Sequence, residues 1–152
     1  VAVEDDVESE ALIRHLVSVG YRVGAVVEQD AVGRLATVRL THTSDGSLVS
    51  DLLFASSGIE REIVEAATRV EIVSGVSLDV ASIGHLIATK LLARDDRNRP
   101  TDADDLRALR LVASDSDWSD AAGAVRLIHE RGYDRGRDLV TSLTRLREHG
   151  AY

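Results

Sequence analysis

Apolar residues recur along the chain with two different periods, and the change falls near residue 82. Leu12, Ile13, Leu16, Val17 and Val19 form a helical stripe, opened by Asp5-Asp6 and Glu8, which favour a helix N-terminus, and closed by Gly20. Residues 21–27 then read as a β-branched strand, and residues 36–42 and 48–54 as two more. Between the last two, Asp45-Gly46 supplies the positive φ of a hairpin turn. A short helix over 59–67 follows Ser57-Gly58, and short strands at 70–73 and 76–80 complete this half.

Beyond Ser82, a plausible N-cap, only helical spacing remains. Ile83, Leu86, Ile87 and Leu91 share one face. A polar loop, 94–101, holds the only proline, Pro100. Leu106 and Leu109 mark the next helix. Trp118, Val125 and Ile128 mark another, ended by Gly132, and Leu139, Val140, Leu143 and Leu146 the last, ended by Gly150. The expected architecture is α/β: a core over 1–81 with a small mixed sheet and flanking helices, then a helical C-terminal region over 82–152.

Composition narrows the chemistry. At 152 residues and 16.4 kDa the chain fits one domain, or one with a small appendage. With no cysteine it has no disulfide, thiolate zinc site or cysteine nucleophile. The longest unbroken apolar runs are four to five residues, far short of the ~20 of a membrane span. No charged-then-apolar leader opens the chain. The expectation is therefore a cytoplasmic protein with no membrane partner. Residues 1–85 hold 6 basic and 14 acidic side chains, residues 86–152 hold 12 of each, and the net charge is −8. That balance argues against nonspecific DNA binding, which needs a basic footprint, and suits a solvated acidic surface on the first half.

Three places invite a chemical reading. Asp51 interrupts the apolar 48–54 strand, on the face that alternation gives to Val49 and Leu53. A desolvated carboxylate there needs a cation or a donor, so Asp51 is either a metal ligand or general base on a rigid strand, or an aspartate facing water. Lys90 is the only lysine among 18 basic residues. Its compact ammonium suits a point contact to phosphate or a proton-transfer role; the plain alternative is a surface lysine. The 94–106 segment brings Arg94, Arg97 and Arg99 ahead of a helix that begins with aspartates. It reads as a solvated loop or as a holder of a triphosphate or an RNA backbone. His15, His42, His85, His129 and His149 show no metal-ligand spacing.

Two blocks carry a family likeness. Residues 48–60, with Asp51 on the strand and Ser57-Gly58 at the turn, resemble the third-carboxylate strand of bacterial AbiEii-like (MenT-type) nucleotidyltransferase toxins. Residues 80–92, with Lys90, followed by the arginine-rich loop and Asp102-Ala103-Asp104-Asp105-Leu106, resemble that family's post-core helix and loop-to-helix motif. The resemblance spans roughly residues 1–112. It implies the small mixed sheet of the polymerase-β-like nucleotidyltransferases and transfer of a nucleoside monophosphate from an NTP, with Mg²⁺, to the 3′ end of tRNA. A cognate antitoxin protein would restrain the enzyme. It further implies that Asp51 is a catalytic carboxylate and metal ligand, that Lys90 contacts the nucleotide phosphates with Arg97 and Arg99, and that Asp105 orients groups of the active site.

The family's Gly-Ser or Gly-Gly turn and Asp-x-Asp strand, which supply the first two metal carboxylates, would precede Val1. Val1-Ala2-Val3 resembles the tail of that strand, and the adjacent Asp5 and Asp6 would point to opposite faces of a strand. The chain as given is therefore expected to lack a complete two-metal site and to be inactive as an N-truncated form. The alternative is a non-catalytic nucleotide- or protein-binding module that keeps the nucleotidyltransferase fold.

Overall fold

In the computed structural model, residues 6–29, 34–46, 49–54, 56–94 and 101–150 are described. They form a mixed α/β protein of two compact units, Val1–Ser56 and Ser57–Tyr152. In the first, helix α1 (Asp6–Ser18) turns at Gly20 (φ +102°) into strand β1 (Tyr21–Gln29), followed by β2 (Arg34–His42) and β3 (Val49–Leu53). Glycine suits that junction because a side chain is strained at such a φ. The three strands pair antiparallel in the order β1-β2-β3. Val38, Leu40 and Phe54 are buried, and Leu12, Ile13 and Leu16 of α1 pack against them. Spacing i, i+1, i+4 puts those three on one helical face. Val17 and Val19, assigned to the same stripe from sequence, are exposed.

The second unit holds α2 (Glu60–Glu65), the hairpin β4 (Thr68–Val73)–β5 (Val76–Val80), and helices α3 (Ile83–Ala93), α4 (Thr101–Val112), α5 (Asp115–Glu130) and α6 (Leu139–His149). Its core joins Ile87, Ala88, Leu91 and Leu92 of α3 to Leu106, Trp118, Ala121, Val125, Ile128, Leu139, Leu143 and Leu146. Ser82 caps α3 as its sequence suggested, its Oγ accepting from the His85 N–H at 3.3 Å. Gly84 permits a close crossing of α3 and α5: a Cβ there would lie 2.6 Å from the Asp117 carbonyl oxygen. Gly150, in the left-handed region, ends α6. Val140 points outward and is exposed, leaving Leu139, Leu143 and Leu146 as the buried stripe.

Two features differ from the expected architecture. The described strands form two antiparallel sheets, of three and two strands, rather than one mixed sheet. The connections explain this: 29–34, 42–49 and 73–76 are too short for the crossover that parallel pairing requires. The units also divide at Ser56/Ser57, ahead of the 81/82 change in period, because Ile59 and Ile63 join the helical core. No helix among the described residues is long and apolar enough to cross a membrane.

Candidate functional site

Lys90 leaves α3 near its C-terminal end and faces α4. There, Asp102 and Asp105 stand three residues apart, a spacing that puts both carboxylates on one side of the helix, with Leu106 one residue beyond. Burial of Leu106, at 0% exposure, draws that side of α4 inward and takes Asp102 with it, to 1% exposure. The Lys90 Nζ donates to Asp102 Oδ1 at 2.8 Å and to Asp105 Oδ2 at 2.6 Å. The lysine side chain is 30% exposed and that of Asp105 is 51% exposed. One ammonium thus spans a buried carboxylate and a solvated one.

This geometry makes Lys90 the shared countercharge of two carboxylates, a tie between α3 and α4. The hydrogen bonds it donates, to Asp102 first and then Asp105, hold Lys90 above the ordinary lysine range, against desolvation, which acts the other way. Two of its three donors are committed, and the third meets no protein acceptor among the described residues. One ammonium against two carboxylates leaves an excess negative charge, so an anion at Lys90 needs further basic groups beside it. Arg97 and Arg99, expected to supply them, lie outside the described residues.

Asp51 sits in the other unit, directly across from Arg39 in the β2–β3 register. Arg39 Nε donates to Oδ1 and Nη2 to Oδ2, both at 2.7 Å, a bidentate pair. These hydrogen bonds hold the Asp51 carboxyl below the usual range and raise Arg39. Alternation correctly placed Asp51 with Val49 and Leu53, but that face is solvated: the two apolar neighbours are 51% and 62% exposed. The α1 core covers the opposite face, which carries Val38, Leu40 and Leu52. Of the two readings of Asp51, the structure shows the aspartate that faces water, paired with Arg39.

The described residues do not fit a magnesium site. Mg²⁺ takes near-octahedral oxygen ligands, usually one or two carboxylates with substrate phosphates and water. Asp51 offers a single carboxylate whose two oxygens both face Arg39. No group of three or more His, Asp or Glu side chains among the described residues could hold a metal ion. Of the histidines, His85 pairs with the Ser82 hydroxyl at 2.8 Å, and His129 Nδ1 lies 2.5 Å from Asp134 Oδ2.

The structure therefore brings Lys90 and Asp105 together and leaves Asp51 in the other unit. Sequence reasoning missed Asp102, the buried member, and Arg39, the partner of Asp51. The signal for Asp102 was its position three residues before Asp105 and four before Leu106, on the inward side of α4. Arg39 had none, because cross-strand partners depend on a register that composition does not reveal. No protein-family model matches the chain, and no curated protein is detectably similar to it.

Proposed function

We propose that this chain belongs to a toxin-type nucleotidyltransferase that passes a nucleoside monophosphate from an NTP to the 3′ end of a tRNA, with an antitoxin protein as its restraint. In such a transfer the 3′-hydroxyl oxygen attacks the α-phosphorus, the α–β bridging P–O bond breaks, and pyrophosphate leaves. The observation that supports the reading is the ion pair of Lys90 with Asp105. The resemblance assigned these two residues to one site, and they meet at 2.6 Å. Lys90 would supply fixed positive charge beside the phosphates, with Asp102 and Asp105 setting its direction and Arg97 and Arg99 offsetting the excess negative charge.

A second reading draws on the Asp51–Arg39 pair, which engages both carboxylate oxygens: a module that binds a nucleotide or a protein without catalysis. Incubating the reading frame, extended upstream of Val1, with tRNA, Mg²⁺ and each labelled NTP separates the two. The enzyme reading predicts RNA longer by one or a few nucleotides, lost in Asp51→Ala. Unaltered RNA under every NTP, with calorimetry showing no Mg²⁺-dependent NTP binding, supports the non-catalytic reading. Transfer by the 152-residue chain alone would contradict the expectation that it is inactive.

A further inference from the structure

A cleft of about 510 Å³ opens between the C-terminal end of α3 and the first half of α6, within the second unit. Leu91 and Leu139, both buried, form its apolar floor. Among the described residues, Arg94, Arg137 and Arg145 line it together with Thr141, Ser142 and the Asp138 carboxylate. On α6, positions 138, 141, 142 and 145 follow the i, i+3, i+4, i+7 spacing of one helical face, beside the buried leucine stripe. Arg137 is set at the rim because its Nη1 donates to the carbonyl of Arg94, the residue that caps α3. Asp138 is turned toward its own helix, accepting from the Thr141 N–H at 2.9 Å, and Ser142 Oγ donates to the Asp138 carbonyl at 2.8 Å.

Among the described residues, three guanidinium groups and one carboxylate line this concavity, on a chain of net charge −8. Guanidinium forks recognise phosphate oxygens in pairs, and a cleft of this volume falls in the range of small-ligand sites. We infer that the cleft is a phosphate-binding site, held by Arg137 and Arg145, for the polyphosphate tail of a nucleotide or for phosphodiesters of a single RNA strand. It shares no residue with the Lys90–Asp102–Asp105 cluster, and it stands whether or not the chain transfers nucleotides.

The test uses the whole 152-residue chain and two probes. Calorimetry with tripolyphosphate reports the nucleotide-tail source, and fluorescence anisotropy with a short labelled single-stranded RNA reports the phosphodiester source. At least one probe is expected to bind, with affinity falling as salt rises. Arg145→Gln, for which the structure shows no side-chain hydrogen bond to be lost, is expected to weaken that probe by about tenfold or more. Arg137→Gln should act similarly, and Arg126→Gln, on the exposed side of α5, should leave affinity unchanged. Circular dichroism identifies any variant that has lost its fold, and Arg145→Gln carries the test if Arg137→Gln does so. Binding of neither probe, affinity unchanged in Arg145→Gln, or equal weakening in Arg126→Gln overturns the inference.

Discussion

The two units each hold a carboxylate paired with a basic side chain, and they hold it in opposite surroundings. Asp51 and Arg39 meet on an open sheet face, with side chains 35% and 56% exposed. Asp102 and Lys90 meet where the carboxylate is 1% and the lysine 30% exposed. Water can replace Arg39 around Asp51, so that pair is dispensable to folding. Water cannot reach Asp102 in the same way, so its countercharge is required for α4 to lie against α3. What separates a surface pair from a constrained one is therefore the apolar residue beside it: Leu106 pulls Asp102 inward, whereas Val49 and Leu53 share the solvated face of Asp51.

The strongest way to break this contrast is to remove the apolar anchor. Leu106→Ala is expected to cost about 3 kcal/mol in urea unfolding, through lost burial and a cavity. Leu40→Ala in the first unit should cost less, since that smaller core has fewer neighbours to leave unsupported. Next comes the ion cluster: Lys90→Ala is expected to cost about 1–3 kcal/mol by depriving the Asp102 carboxylate of its main partner. A Lys90→Ala variant as stable as the parent would show that Asp102 is solvated after all.

The pH dependence sharpens the same contrast. Lys90 has a raised folded-state value, so its stabilisation is complete below the unfolded lysine value of about 10.4 and lost as pH rises through the folded one. Alkaline unfolding followed by circular dichroism should thus lose a component in Lys90→Ala. Asp51 is lowered, so its contribution is present above the unfolded aspartate value and lost as pH falls through the folded one. The smallest effect is expected in Arg39→Ala. There, carbon NMR should show the Asp51 carboxyl titrating at higher pH than in the parent, with little change in thermal midpoint. An unmoved Asp51 titration would mean that Arg39 does not hold it.

Most element positions were readable from the sequence, because their signals are local. Ser82 before Ile83, Gly20 after α1 and Gly150 after α6 each act within one turn of the backbone, and the structure uses each as a boundary. What could not be read is set by partners distant in the chain. Whether a strand face is covered depends on where α1 lies, and so the sequence left the surroundings of Asp51 open. Which ring of helices Ile59 joins depends on packing across the unit, and so the division at Ser56/Ser57 was not foreseen. For the site, residue type singled out Lys90, but Asp102 became visible only with α3 and α4 side by side.

The account rests on Lys90 being more than a tie between two helices. The direct measurement is nucleotide transfer to tRNA by Lys90→Met in the upstream-extended frame, with thermal unfolding followed on the same sample. If the ammonium faces the phosphates, transfer falls on the order of 10²-fold or more at temperatures where the variant is fully folded. Transfer at the parental rate in the folded variant, or a loss that only tracks its unfolding, would contradict the account.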